Sequence, residues 1–418
     1  MLSNRHSGGA TPGPGNVPGA LVLGGAHGSL AVARSLGRRQ IPVWFVTHDH
    51  PLAALSRYTK RFLRWDGPDQ KDAIAYLLDL AHLYNLDGWV LFAGGDAEVR
   101  RVAQHHAELS KIFRVTTPPW SITQFAYNKN LTYQHAGSIG IDYPATYHPR
   151  DRDAVAKLAC RFPIVLKPAV REQANAFTIS KGWKVGDAGE LLSRYDEAVA
   201  LVGHDAIILQ EFVPGTGRNQ FSYAGVWDRG APIASLVARR ARQFPIEFGF
   251  TSTFVETVVN SAVENAACRY LASLSYSGIA EIEFKFDERD NSYKLLDFNA
   301  RPWTWMALGE VAGVDFPYLL MHAAAGNGAP TIRGSAGVTW MHLARDLVAA
   351  FQHIAAGSLA PSTYVQSLRL PMVFAAFAWD DPLPGMLELP LTLYRVLTRR
   401  VASAMRTSMA KSTAEVAR

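Results

Sequence analysis

The sequence lacks several features that would assign it to a class of protein at once. No apolar run reaches the roughly 18 residues that a membrane-spanning helix needs. The N-terminus has no apolar core of a signal peptide, and the chain has only two cysteines, Cys160 and Cys268, far apart in sequence. We therefore expect a cytoplasmic protein with reduced thiols and not a secreted, disulfide-linked one.

Three familiar catalytic motifs are also missing. The chain has no G-x-x-x-x-G-K-[ST] loop, which argues against a P-loop ATPase, and no G-x-S-x-G turn to carry a hydrolase serine. Its 13 histidines include no H-E-x-x-H pattern, and a zinc site is not expected. Nucleotide or metal chemistry must therefore come from other residues.

The net charge of +6 is unevenly distributed along the chain. Six basic residues and one acidic residue lie between Tyr394 and Arg418, which leaves the rest nearly neutral, so a nucleic-acid-binding surface is not expected. Apolar residues in this tail recur at helical spacing. The tail therefore either packs against the body or the second subunit of a homodimer, or contacts an anionic membrane surface. These apolar residues are Leu393, Val396, Leu397, Val401 and Met405.

Length and composition indicate a folded protein of several structural units. The chain has 418 residues, of which 48% are hydrophobic and 19% charged. Apolar runs alternate with helical patterns at first, as in a parallel α/β sheet, and longer antiparallel strands follow, as in an α+β fold. The predicted units are a disordered lead-in at 1–18, an α/β domain at 19–120, a second α/β unit at 121–205, an antiparallel unit at 206–330, and a mostly helical extension with a basic tail at 331–418.

Residues 280–301 are predicted to form an antiparallel hairpin with one polar and one apolar face. Polar and apolar residues alternate over 281–286 and again over 295–299, on either side of a turn-rich stretch. The assigned register pairs Glu281 with Asn299, Glu283 with Asp297, and Phe286 with Lys294.

The polar face of this hairpin is a candidate magnesium site. Opposed residues have Cβ atoms roughly 4.5–5.5 Å apart, and two carboxylates at that distance repel each other. A hard cation removes this cost, and magnesium prefers oxygen ligands from one or two carboxylates with water and phosphate. Glu283, Asp297 and Asn299 offer such oxygens, and Arg301 on the same face could reach a terminal phosphate. The alternative interpretation is an exposed hairpin whose outer face happens to be acidic.

These residues resemble the closing part of the ATP-grasp fold. Leu295–Pro302 is similar to its acid-x-Asn-x-Arg signature, and three further stretches fit the family in the expected order. Asn128-Lys129 resembles its first lysine region, Phe162–Pro168 the strand of its second lysine, and Gln210–Gly215 the hinge that holds adenine. The resemblance covers about residues 20–325. It implies that a smaller pre-grasp α/β domain precedes two grasp lobes, which are the second and third units named above.

The resemblance implies a site for ATP and Mg²⁺ in which different residues contact the phosphates, the metal and the rest of the nucleotide. Lys129 and Lys167 would neutralise phosphates, and Arg301 with Lys167 would act in catalysis by stabilising charge on the transferred phosphoryl group. The metal would be held by Glu283, Asp297 and Asn299. The remaining nucleotide contacts would come from Lys181, Gln210, Glu211, Phe212, Val213 and Asn219.

Two stretches depart from the family pattern. The loop after Lys167 has no glycine before Gly182, where many members carry a glycine-rich flap. Arg171 or Lys181 would therefore hold phosphate in place of backbone amides. The usual acidic ribose ligand is missing after the hinge, and Asn219 would replace it.

Enzymes of this family activate a carboxylate as an acylphosphate, which an amine then attacks. The resemblance therefore implies a ligase that joins small carboxylate and amine substrates and releases ADP and phosphate. The stretch Arg239–Gly249 is a candidate substrate loop, in which Arg239, Arg240 and Arg242 could clamp a carboxylate. A solvated charge cluster is the alternative interpretation.

Two other functions remain open at this point. One is a nucleotide-binding regulatory protein without catalysis. The other is an NAD-dependent oxidoreductase, because the glycines of residues 24–28 followed by Asp49 resemble half of a dinucleotide fingerprint. A tight strand-to-helix turn explains those glycines equally well. Gly94-Gly95-Asp96, at the end of another strand, is expected to border the same crevice.

Overall fold

Three β-sheets with their helices make up the part of the chain that the computed structural model describes. That part comprises residues 18–170, 175–180, 182–245, 251–326, 331–368 and 371–395. The lead-in and the basic tail lie almost entirely outside these ranges, so the interpretations given to them stay predictions.

The first sheet has five parallel strands, as the alternation of apolar runs and helical patterns predicts. Its strands are β1 (Ala20–Leu23), β2 (Val43–Thr47), β3 (Thr59–Arg64), β4 (Val90–Ala93) and β5 (Arg114–Val115). Its helices are α1 (His27–Arg38), α2 (Ala73–Tyr84), α3 (Asp96–Gln104), α4 (His106–Leu109), α5 (Trp120–Tyr127) and a 3₁₀ turn at Pro51–Leu55. The strand order is β3-β2-β1-β4-β5, which places β1 at the centre.

Four antiparallel strands form the second sheet, in the order β6-β9-β7-β8. These strands are β6 (Thr146–Tyr147), β7 (Ile164–Pro168), β8 (Trp183–Val185) and β9 (Ile207–Glu211). The helices of this region are α6 (Lys129–Ser138), α7 (Arg152–Ala156), α8 (Ala176–Ile179), α9 (Ala188–Val202) and a 3₁₀ turn at His204–Ala206. The sheet and α9 share a small core of their own, centred on Phe177 and Tyr195.

The third sheet has eight strands and is mostly antiparallel. Its strands are β10 (Gln220–Asp228), β11 (Ala231–Phe244), β12 (Thr251–Val258), β13 (Gly278–Asp287), β14 (Ser292–Asn299), β15 (Ile332–Arg333), β16 (Thr339–Met341) and β17 (Met372–Phe374). The helices are α10 (Ser261–Ser273), α11 (Leu308–Val311), α12 (Phe316–Ala324), α13 (Leu343–Ala355), α14 (Pro361–Ser367), a 3₁₀ turn at Gly217–Asn219 and a helical stretch at 383–395. The order is β14-β13-β10-β11-β12-β16-β17, and β15 pairs with β11.

Alternate residues of β1 enter two different cores. Ala20 and Val22 pack in a cluster that also contains Trp303 and Trp340, whereas Leu21 and Leu23 pack with Phe284 of the hairpin. Such burial on both faces is typical of a parallel sheet covered on each side. The first and third sheets therefore share both large cores, and this packing fixes the hairpin beside the loops of the first sheet.

The hairpin forms as predicted, with one correction to its register. Glu281 lies opposite Asn299 and Glu283 opposite Asp297, as assigned. The register then shifts, and Phe286 pairs with Tyr293 and not with Lys294. Leu296 is the extra residue of this β-bulge, which lets Leu295 stay buried while Asp297 remains on the polar face.

Two further expectations need correction. The candidate substrate loop is strand up to Phe244, since β11 pairs along this stretch with the unpredicted strand β12. The region after residue 330 is not only helical, because β15, β16 and β17 join the third sheet. Strands from both sides of residue 330 thus share one sheet, while the predicted domain limits stay predictions.

Candidate active site

The polar face of the hairpin carries three carboxylates and one amide at adjoining positions, which are Glu281, Glu283, Asp297 and Asn299. Glu283 Oε2 accepts a hydrogen bond of 2.5 Å from Gln220 Nε2 on the neighbouring strand β10, and Arg240 Nη2 lies 3.3 Å away. Asp297 forms an ion pair with Lys129, the first residue of α6. Strand pairing thus brings the predicted metal ligands together, and helix α6 adds one predicted phosphate ligand.

Glu281 is the carboxylate of this face that sequence reasoning did not assign to the metal. It is buried, and it accepts hydrogen bonds from Trp305 Nε1 at 2.9 Å and from Asn299 Nδ2 at 3.3 Å. Burial and, next, the charge of Glu283 raise the pKa of Glu281, because two close carboxylates in a dry site do not both ionise readily. A cation among these oxygens would remove that repulsion, so the donor set fits Mg²⁺.

Arg301 connects the hairpin to the first sheet. Its Nε donates to Asp96 Oδ1 at 2.5 Å, and its Nη2 lies 3.4 Å from Asn299 Oδ1. The charge of Asp96, the first residue of α3, is the main reason that the pKa of Arg301 is raised, so this cation stays charged. A fixed guanidinium beside carboxylate and amide oxygens is suited to hold a terminal phosphate next to a metal.

Lys167 lies at the end of the buried strand β7 and points to β9. Its Nζ donates to Gln210 Oε1 at 2.6 Å, and Gln210 Nε2 donates in turn to Thr146 Oγ1 at 2.9 Å. Because Gln210 is buried and hydrogen-bonded at both ends of its amide, it holds the Lys167 Nζ in place. This pairing of neighbouring strands was not visible in the sequence, where Gln210 was expected to contact the nucleotide.

A cleft of about 330 Å³ lies between the first sheet and Arg301. It is lined by the loops after β1, β2 and β4 and by residues 301, 302 and 304. Asp96 and Arg301 border both this cleft and the spaces around the acidic face. A bound phosphoryl group at the hairpin and a second molecule in the cleft would therefore be neighbours.

The glycines at the mouth of this cleft are explained by close packing. A Cβ on Gly28 would lie 2.6 Å from the carbonyl oxygen of Pro302, and Gly25 has φ +77° with the Gly94 carbonyl 2.6 Å from a would-be Cβ. Asp49, the acidic residue of the half fingerprint, is paired with Arg395 at 2.5 Å. These contacts favour the tight-turn interpretation over a dinucleotide fingerprint.

Comparison with known proteins finds one curated relative and many solved structures with a similar fold. No family model matches the chain. A D-aspartate ligase from Enterococcus faecium is 24% identical over 225 residues, which covers 51% of this chain and 53% of the ligase. The chain thus spans about half the length of this curated relative.

Solved structures share the fold over most of the chain. A biotin carboxylase–"beta-gamma-ATP" complex from Campylobacter jejuni has a TM-score of 0.60 at 13% identity, covering 74% of this chain and 72% of that one. The chain has the ATP-grasp fold. An L-amino acid ligase from Bacillus licheniformis gives a TM-score of 0.55 at 15% identity, covering 73% and 74%. The MgADP-bound biotin carboxylase domain of a Hydrogenobacter thermophilus 2-oxoglutarate carboxylase gives 0.62 at 13%, covering 77% and 73%.

The stretch Gln210–Gly215, which resembles the hinge of the family, contains the residues predicted to hold adenine. Glu211 Oε1 accepts from Arg289 Nη1 at 2.7 Å, and the Phe212 N–H donates to the Pro163 carbonyl at 3.2 Å. These two groups already have partners, and Val213 is buried. Adenine contact by the remaining main-chain groups of this hinge stays a prediction.

Two lysines at the hinge were missed by sequence reasoning. Lys184 and Lys285 lie 4.3 Å and 5.5 Å from the centre of the Phe212 ring. Burial lowers the pKa of Lys285 to about 8, and its Nζ donates to the Gly215 carbonyl at 2.9 Å. They belong to strands of different sheets, so no local pattern could have brought them together.

The predicted contact of Asn219 with ribose and the predicted contacts of Arg171 and Lys181 with phosphate both stay untested, for different reasons. Asn219 donates from Nδ2 to Glu288 Oε1 at 3.0 Å and caps a short turn with its own Oδ1, so its role toward ribose stays a prediction. Lys181 and Arg171 lie outside the described residues, and their proposed contacts with phosphate are therefore also still predictions.

The three arginines of β11 do not form the predicted carboxylate clamp. Arg240 alone lines the space beside the acidic face. Arg239 pairs with Glu256 at 2.6 Å, and the buried Arg242 pairs with Asp346 at 2.8 Å. Arg239 and Arg240 are successive strand residues and therefore point to opposite faces of the sheet. A register shift between Arg240 and Arg242 separates Arg242 from Arg240 as well.

Proposed function

We propose that this chain is an ATP-dependent ligase that activates a carboxylate as an acylphosphate for attack by an amine. The observation that carries the proposal is the convergence of an acidic hairpin face, Lys129 and Arg301 beside one open cleft. The similarity to a D-aspartate ligase and to an L-amino acid ligase supports amide formation between small molecules. ADP and phosphate would be the other products.

The charge of each side chain determines the role that we propose for it. Lys129 and Lys167 would neutralise phosphate oxygens of ATP, and Arg301 would stabilise charge that develops on the transferred phosphoryl group. Glu283, Asp297 and Asn299 would hold Mg²⁺, which supplies charge neutralisation at the phosphates when bound. No protein nucleophile is required, since the substrate carboxylate accepts the phosphoryl group itself.

The two substrates would meet at the boundary between the hairpin and the cleft. The carboxylate oxygen forms a bond to the terminal phosphorus as the bond to ADP breaks. The amine nitrogen then bonds to the activated carbonyl carbon, phosphate leaves, and the amine loses a proton. Arg240, which lies beside Glu283, would be the arginine of β11 that contacts the phosphoryl group or the carboxylate.

Removal of the metal ligands tests the proposal. The double variant Asp297→Asn, Asn299→Ala should release no phosphate from ATP above background, because the oxygen set for Mg²⁺ is broken. Circular dichroism should show an unchanged fold. Asp290→Asn is the matched control, since Asp290 lies in the turn of the same hairpin and pairs with Lys294. Turnover retained by the double variant would overturn the assignment.

A substrate panel then identifies the reaction. Phosphate release should be measured with pairs drawn from amino acids and other small acids, and the product of an active pair should be isolated as an amide. ATP binding without turnover for every pair would favour the non-catalytic regulatory protein. Titration with NADH tests the oxidoreductase, which the packing of Gly28 against Pro302 disfavours.

A further inference from the structure

A second polar cluster, His27, His342 and Glu388, lies outside the hairpin. His27 is the first residue of α1, His342 immediately precedes α13, and Glu388 belongs to the helical stretch 383–395. His27 Nε2 lies 2.5 Å from Glu388 Oε1, and His342 Nε2 lies 3.1 Å from the same oxygen. Three segments far apart in sequence thus place ligand-type atoms around one point, all within 4.8 Å of one another.

Hydrogen bonding alone does not satisfy this cluster. Both histidines are buried, with 8% and 3% of their surface exposed. Neither ring nitrogen of His342 forms a hydrogen bond of acceptable geometry within the described residues, despite the short contact with Glu388. An imidazole buried with Nδ1 unsatisfied and Nε2 held only by a poorly aligned contact with Glu388 is costly, which indicates a missing partner.

One metal ion could bind one ligand atom of each of the three side chains. Zinc accepts nitrogen from neutral imidazole and oxygen from carboxylate at about 2.0–2.2 Å, which places ligand atoms of a tetrahedral site roughly 3.3 Å apart. The observed separations reach that value by changes of up to about 1.5 Å.

We propose that His27, His342 and Glu388 bind one divalent transition-metal ion of the zinc class. Two histidines and one carboxylate leave a fourth position for water or another ligand. The cluster lies between two cavities, since His27 borders the 330 Å³ cleft and the other two residues border a space of about 170 Å³. The ion would fix the helical stretch 383–395 against α1 at the edge of the cleft. This proposal does not rest on the ligase assignment.

Cobalt titration of the chelator-treated full chain tests the site. Co²⁺ replaces zinc and gives visible absorption when four-coordinate, so we expect one equivalent to develop that spectrum in excess Mg²⁺. His342→Gln and Glu388→Gln should each weaken binding by at least roughly 100-fold, more than loss of an outer-shell partner does. Zn²⁺ should raise the melting temperature of the unaltered chain and of neither variant.

Two control variants separate this site from others. His50→Gln should keep the cobalt spectrum, because the His50 ring lies 6.5 Å from that of His27 and outside the ligand set. Asp297→Asn should keep it too, since that residue belongs to the hairpin. Absence of a four-coordinate spectrum in the unaltered chain would overturn the proposal, as would its loss only in Asp297→Asn. If the ligand variants fail to fold, anomalous diffraction at the zinc edge from zinc-soaked crystals of the unaltered chain decides between bound metal and a hydrogen-bonded triad.

Discussion

Glu98 is an acidic side chain that the fold buries beside the cleft. It belongs to α3, its side chain is only 6% exposed, and its Oε1 lies 3.8 Å from His48 Nδ1. Burial, and after it the negative charge of nearby aspartates, raises the pKa of Glu98 to about 7. A Cβ on Gly24 would lie 2.2 Å from its carboxylate, so the glycine turn makes the room that this acid occupies.

This single residue should make stability depend on pH. Between about pH 4.5 and pH 7 the folded state keeps a proton that the unfolded chain has released, so the free energy of unfolding falls as pH rises. Glu98→Gln cannot ionise and should lose this slope, gaining about 1–3 kcal/mol over the parent chain by about pH 8. Urea unfolding of both proteins across that range measures the difference. Parallel curves would show that Glu98 ionises normally.

At the scale of one element, strand β11 gives three neighbouring arginines three different environments. Arg242 is buried, donates two hydrogen bonds to Asp346 and lies 4.0 Å from the centre of the Phe254 ring. Arg239 forms a half-exposed pair with Glu256 on the strand β12. Arg240 faces the acidic side of the hairpin. Alternation and the register shift, not the sequence cluster, decide which arginine reaches the site.

Substitution of each arginine by methionine should separate stability from activity. Arg242→Met leaves the fully buried Asp346 without its partner and should cost about 3–5 kcal/mol of unfolding free energy. Arg239→Met should cost less than about 1 kcal/mol. Arg240→Met should fold normally and slow phosphate release at least about tenfold. Chemical denaturation and the phosphate assay measure the two effects, and equal losses for all three variants would contradict this division.

At the scale of the whole molecule, the segment 371–395 folds back onto the first sheet through a buried ion pair. Asp381 accepts from Arg34 Nε at 2.9 Å, from Ser56 Oγ at 2.7 Å and from the Arg57 N–H at 2.9 Å. Arg34 also donates to the Ala376 carbonyl at 2.6 Å.

In the part of the chain described, no helix is long and apolar enough to cross a bilayer.

Breaking this pair should loosen the end of the chain. Asp381→Asn leaves the buried Arg34 charge uncompensated and should cost about 3–5 kcal/mol of unfolding free energy. Hydrogen exchange should become faster in residues 371–395 than elsewhere. Asp380→Asn is the control. The Asp380 side chain, which pairs with Arg38, is 42% exposed, so this ion pair should contribute less than about 1 kcal/mol to the free energy of unfolding. Uniformly faster exchange would mean that the segment is not a separate unit.

Local periodicity was enough to predict the hairpin and its acidic face. Period-two alternation places Glu281 and Glu283 on one side whatever the rest of the chain does, and the turn-rich stretch sets which residues lie opposite. The bulge was missed because adjacent Leu295 and Leu296 break the alternation without saying which one is extra. Only packing of Leu295 against Phe284 in the core settles that choice.

The sequence by itself thus determined the parallel first sheet and the acidic hairpin, because these depend on local spacing and strand alternation. The order of the ATP-grasp segments came from the resemblance to that family. Tertiary structure alone decided that Asp96 holds Arg301, that Gln210 holds Lys167 and that Arg240 faces the site. It alone assembled the cluster of His27, His342 and Glu388. The reason is physical: such contacts join residues on different strands or helices, and their partners are fixed by how sheets pack and not by neighbours along the chain.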